Sequence, residues 1–132
     1  MEVTKKRICQ IQRGEYAELI DGNRVSVEPT YEEAADAVAR EDIEPLGFQE
    51  HLEELREKLK TLSSEEGIRW IRQYHNRHIA FFWVKGWPDE DVIKICSHDV
   101  LEDGGHRLLA AKFKGIETID CVTVKCNKCL RG

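Results

Sequence analysis

The sequence predicts an α+β domain in which helices pack on a mixed sheet. Three observations predict it. Short runs of alternating or β-branched residues are bounded by Gly, Pro, Asn and Asp. Residues 48–62 place Leu52, Leu55, Leu59 and Leu62 on one helical stripe. Helical and strand patterns then interleave along the chain, so that some strands must pair antiparallel.

Taken in order, residues 7–12 and 16–20 read as short strands around Arg13-Gly14-Glu15. Asp21-Gly22-Asn23 is a hairpin signal, and 24–28 alternates as a third strand. The three form an N-terminal β-meander closed by Pro29. Thr30 and Glu33 have capping-box spacing, which predicts a helix over 31–40. Pro45 and Gly47 stop any helix through 41–47, which reads as a connector or short strand, and the helix 48–62 follows. Ser63 or Ser64 caps a further helix to about residue 77, burying Ile68 and Ile71. The run 78–84 (His, Ile, Ala, Phe, Phe, Trp, Val) reads as a central strand. A turn at 85–89, a strand at 92–96 and a lead-in at 99–102 bring the chain to two glycines. Leu108, Leu109, Ala111 and Phe113 share one face of the next helix. Gly115 stands where a left-handed C′ residue is wanted, and 118–125 is the last strand.

Composition narrows the function. At 132 residues the chain has room for one substantial core, and 41% apolar residues suffice to build it. A formal net charge of −5 gives no general basic face for duplex DNA. No apolar run is long enough to span a membrane, and the first residues carry no apolar segment of a secretory signal. Five irregularly spaced cysteines do not read as a disulfide framework, so a reducing cytoplasm is the expected compartment.

The chemistry concentrates at Asp103-Gly104-Gly105-His106-Arg107. Glycines let a backbone approach a ligand closely, and the first turn of a helix presents unpaired N–H groups at its electropositive end. An Arg and a His in that turn complete what a phosphate site needs. The plain alternative is a tight strand-to-helix turn with His106 and an exposed Arg107 on its surface. Asp99, Glu102 and Asp103 read as turn chemistry, or else Asp103 positions the loop or holds magnesium. Arg69, Arg72, His75, Arg77 and His78, with Trp70 and Tyr74, form either a solvated helix face or a patch for phosphates or single-stranded nucleic acid. Cys121, Cys126 and Cys129 have C-x4-C-x2-C spacing. A zinc site there needs a further donor from Cys9, Cys96 or His98, and ordinary free thiols are the favoured reading. His98 alone reads as a surface histidine or a site residue near the glycine loop.

The same stretch, with Leu-Leu-Ala-Ala-Lys and Gly115-Ile116-Glu117-Thr118-Ile119 after it, resembles the signature of the ParB/sulfiredoxin superfamily. The likeness covers residues 100–124, with a weaker echo at Asp42-Ile43-Glu44-Pro45, Phe48-Gln49 and His51–Leu55. It implies a ParB/sulfiredoxin-like core over 41–125, with 1–40 as an N-terminal extension and 126–132 as a cysteine-containing tail of a single domain. It implies nucleotide phosphates, of ATP or CTP, bound by Gly104, Gly105, His106 and Arg107. It implies phosphoryl transfer or phosphodiester hydrolysis, with His106, Asp103 and Glu44 as catalytic candidates and magnesium at Asp103. A non-enzymatic nucleotide switch, or a DNA- or protein-interaction module, is the alternative. Gly105 stands where sulfiredoxins carry their nucleophilic cysteine, which removes sulfinic-acid reduction from the expected chemistry.

Overall fold

The structure is a computed structural model that describes residues 2–43, 54, 57 and 60–127. In chain order its strands are β1 (Thr4–Arg7), β2 (Ala17–Ile20), β3 (Asn23–Ser26), β4 (Ile93–Cys96), β5 (Leu101–Asp103) and β6 (Thr118–Val124). The helices whose bounds fall among the described residues are α1 (Tyr31–Ala39), α2 (Ser64–Lys85) and α3 (Gly105–Phe113). The mixture of helices and a mixed sheet is the α+β class that the sequence predicts. The chain forms two compact units, Glu15–Phe81 and the remainder.

The unit that contains both chain ends is built on a four-stranded sheet of order β1-β6-β4-β5. β6 runs antiparallel to β1 and parallel to β4, and β4 runs antiparallel to β5. Alternation explains the burial. In β4, Ile93 and Ile95 are buried while Lys94 between them is exposed; in β6, Ile119 and Cys121 are buried while Asp120 is exposed. Ile93 lies opposite Cys121 in the register, so the inward residues of both strands fall together. Ile8, Ile11, Leu108 and Ala111 join them in one core cluster, with Trp87 and Leu101 packed against it. The four residues from Leu108 to Ala111 are all buried, so the middle of α3 is covered on nearly every side. The helix ends as a glycine C′ should. Gly115 has φ +88°, its N–H reaches the Lys112 carbonyl, and the Ile116 N–H reaches the Ala111 carbonyl. That 5→2 and 6→1 pairing satisfies carbonyls the helix would leave open.

In the other unit, β2 and β3 form the hairpin that Asp-Gly predicts. Asp21 and Gly22 both take positive φ, as a type I′ turn requires. The Thr30 hydroxyl accepts the Glu33 N–H at 3.2 Å and so caps α1, while the Glu33 carboxylate reaches back to the same hydroxyl at 2.9 Å rather than to the Thr30 N–H. Ser63 does the same for α2, through Glu66. Val27 and Ile71 are fully buried, with Tyr16, Ile20, Ile68 and Trp70 packed on them.

Three expectations are corrected. The N-terminal meander is a two-stranded hairpin only, because the first strand lies at 4–7 and pairs with β6. Residues 8–10 turn as a 3-10 helix, and Gln12 makes an isolated bridge to Val100. The expected strand 78–84 is the last part of α2. Ile71, Tyr74 and His78 are buried at helical spacing, no Gly or Pro interrupts the run before Gly86, and tertiary burial overrides a β-rich composition. The basic-aromatic patch does not form as one surface, since Tyr74 and His78 are buried and meet edge to face at 4.4 Å while Arg69 remains exposed. The helix expected over 48–62 lies largely outside the described residues; Glu54, Glu57, Lys60 and Thr61 are helical.

Two outcomes follow from this packing. Burial, and then the neighbouring His78, push the His75 imidazole down from its ordinary 6.5 to about 4. Between those values the unfolded chain binds a proton that the folded chain refuses, so acid favours unfolding. Stability from the neutral ring is whole above about pH 6.5 and is lost as the pH falls through about 4. Urea midpoints measured across that window should fall in the wild type and less steeply in His75→Leu. Equal slopes would assign the loss to other groups. Separately, Gly104→Ala meets φ +104° and places its Cβ 2.7 Å from Ile93 Cγ2. It should destabilise by about 2–4 kcal/mol, from the left-handed backbone and overpacking together. At Gly115 nothing lies within 4 Å of the added Cβ, so only the backbone strain remains. Gly115→Ala should lose about 1–2 kcal/mol in the same denaturation experiment.

Candidate functional site

The glycine loop is the turn from β5 into α3. Gly104 is the N-cap, in left-handed conformation at φ +104° and ψ +32°, with no side chain to cap the helix. Gly105 opens the helix, and the first intrahelical bond runs from the Leu108 N–H to the Gly104 carbonyl at 2.9 Å. The first turn therefore needs acceptors from outside the helix. His106 is half-buried there. The structure thus brings Asp103, Gly104, Gly105, His106 and Arg107 together in one turn.

Arg107 is not the exposed residue that the sequence suggests. Its side chain is 14% exposed. One guanidinium nitrogen donates to the Asp91 carbonyl and the other lies 3.4 Å from the Asp103 carboxylate. The turn at Asp89–Asp91 ends against this arginine, and Asp103, the last residue of β5, reaches it across the glycine turn. A guanidinium has five N–H donors in a planar fork, so these two bonds leave others for a ligand.

The acids separate. Only Asp103, 59% exposed, stays at the glycine turn. Asp99 takes φ +62° at the β4–β5 turn and pairs with Lys6 at 2.7 Å, which is turn chemistry. Glu102 is 9% exposed and accepts the Asn127 N–H at 3.0 Å. Glu44 lies outside the described residues.

At the opposite end of the β4–β5 hairpin a second group of donors meets. Sγ of Cys96, a ring nitrogen of His98 and Sγ of Cys126 all lie within 4.8 Å of one another, a cluster that can hold a metal ion. Cys96 is the last residue of β4, and Cys126 follows the parallel strand β6 by two residues. Cys121 does not belong to this group. It is a fully buried strand residue whose thiol contacts the Thr4 carbonyl at 3.5 Å, so the C-x4-C-x2-C spacing contributes only Cys126 to the donors that could hold a metal among the described residues. Cys129 lies outside the described residues. The sequence signal was a C-x-H at the end of one strand and a cysteine just beyond another. Only the parallel β4–β6 pairing tells that these ends coincide.

Comparison with protein-family models, curated proteins and solved structures finds no match to this chain.

Because Arg107 ties Asp91 and Asp103 to the first turn of α3, its removal should be felt in stability. Arg107→Ala is expected to lose about 1.5–3 kcal/mol, the scale for charged hydrogen bonds. Urea unfolding checks this, and a midpoint equal to wild type would mean the guanidinium holds nothing in solution.

Proposed function

We propose that the chain is a nucleotide-binding domain that holds the phosphates of ATP or CTP at the turn Gly104–Arg107. The observation that carries the reading is a glycine turn that leaves the first turn of α3 without a side-chain cap, directly beside the Arg107 guanidinium. The resemblance to the ParB/sulfiredoxin superfamily supports it, because the same residues carry both. A phosphate at the turn accepts from the first amides of α3 and from the fork of Arg107. It competes with Asp103 for the guanidinium. Asp103 is then the carboxylate placed to hold a magnesium ion, which commonly binds through one or two carboxylates together with substrate phosphates. Magnesium supplies charge neutralisation at the phosphates.

His106 in the same turn donates a hydrogen bond to a phosphate or to a group that transfers. Phosphoryl transfer or phosphodiester hydrolysis relies on positioning and electrostatics more than on a protein nucleophile, so this small set suffices in kind. The Arg107–Asp103 pair favours a second reading, a nucleotide switch without turnover. Opening that pair couples phosphate arrival to a rearrangement at the end of β5.

The test is an amide-resolved NMR titration with ATP, CTP, GTP and inorganic triphosphate, with and without magnesium. The largest shifts should fall on residues 104–108, and one base should bind better than the bare triphosphate. Arg107→Lys keeps the charge and loses the planar fork, so affinity should drop about tenfold, or ~1.4 kcal/mol. Absent shifts at millimolar ligand, or shifts centred elsewhere, would discard the site. Release of phosphate with turnover would separate the enzyme from the switch.

A further inference from the structure

We propose that Cys96, His98 and Cys126 form a zinc site that fastens the β4–β5 turn to the end of β6. The site is separate from the glycine turn. Antiparallel pairing of β4 with β5 sets Lys94 opposite Asp103, while Cys96 stands at the other end, where the Asp99 N–H reaches its carbonyl at 3.0 Å.

The donor chemistry selects the ion. Two thiolates and an imidazole suit zinc and exclude magnesium or calcium, which take oxygen ligands. The spacing fits as well. Bonds of about 2.3 Å to sulfur and 2.0 Å to nitrogen at tetrahedral angles place neighbouring ligand atoms roughly 3.5–3.8 Å apart. His98 Nδ1 is 3.2 Å from Cys126 Sγ, and the whole set lies within 4.8 Å. Drawing the three donors onto one ion needs movements of about an ångström, within reach of side-chain rotation.

The surroundings hold each donor in place. The His98 N–H points at Cys96 Sγ at 3.4 Å, a contact that fixes the sulfur's position relative to the His98 backbone. The turn that carries His98 is fixed from three sides. The Cys96 N–H bonds the Val100 carbonyl, the Gln12 N–H bonds the Asp99 carbonyl, and Lys6 pairs with the Asp99 carboxylate. On the other strand, the buried Glu102 carboxylate takes the Asn127 N–H and so fixes the chain one residue beyond Cys126. A buried carboxylate is costly unless it has such a partner. Its use here is to position Cys126. In sequence, Cys129 follows Cys126 at the C-x2-C spacing common among zinc sites.

The experiment uses the full chain. Metal analysis after purification without chelator should find about one zinc per chain. Cobalt titrated into metal-free protein should saturate near one equivalent. It should give thiolate charge-transfer absorption and the intense visible bands of a tetrahedral site. Cys96→Ser, His98→Ala and Cys126→Ser should each weaken zinc affinity about tenfold or more, while Cys9→Ser, a free and exposed cysteine, should match wild type. The cobalt spectrum of the wild type needs no variant to fold. Wild type that carries no zinc and gives only the weak spectrum of octahedral cobalt would overturn the proposal. So would full zinc retention in all three ligand variants. Nucleotide binding is read separately, so neither result bears on the other site.

Discussion

Much of the unit around the main sheet depends on one close contact, the backbone of Gly104 against the side chain of Ile93. A Cβ at residue 104 would lie 2.7 Å from Ile93 Cγ2, inside any tolerable separation. Ile93 is fully buried, opposite Cys121 and among the core residues of β4 and β6. The left-handed turn at Gly104 is therefore where the chain leaves β5 and enters α3 while staying on the core. The same substitution space explains why no side chain caps the helix. A Ser or Asp at the N-cap would satisfy an open N–H, but its Cβ has no room. The uncapped helix end is thus a consequence of packing before it is anything else. The proposed phosphate site would build on an open helix end that the core already requires.

Legibility followed from how local each signal was. Asp21-Gly22, Thr30 with Glu33, the serine cap at 63 or 64, and Gly115 all carry their physics within a few residues, and each appears where the sequence places it, the cap being Ser63. The glycine turn was readable for the same reason. The run 78–84 was not, because its β-rich residues report only that they are apolar. Whether they serve a strand or a buried helix is decided by the positions before them, Ile71 and Tyr74, whose spacing continues into His78. The N-terminal strand was misplaced by the same kind of cause. Its partner is β6, over a hundred residues away, and no local turn announces that pairing.

The candidate sites show the same division. Asp103 to Arg107 are consecutive, so their meeting needed no fold. The burial of Arg107 did need one, since Asp91 reaches it from a different turn. Cys96, His98 and Cys126 could be named as donors but not assembled, because only the parallel β4–β6 pairing brings their strand ends together. Alternation along β6 sets Cys121 apart. Cys121 faces the core with Ile119, and the strand ends before Cys126.

Two buried or half-buried charges make the comparison between the sites sharper. Arg107 is held by a backbone carbonyl and by an acid that is itself well exposed, so its partner in water is easily exchanged for a stronger anion. Glu102 is held by a backbone N–H in a buried place, where losing the partner would leave a desolvated charge. The first arrangement is suited to opening and closing around a ligand. The second is suited to staying closed. On the two proposals above, ligand exchange belongs at the glycine turn and a lasting metal beside Cys126, where Glu102 fixes the chain one residue further on.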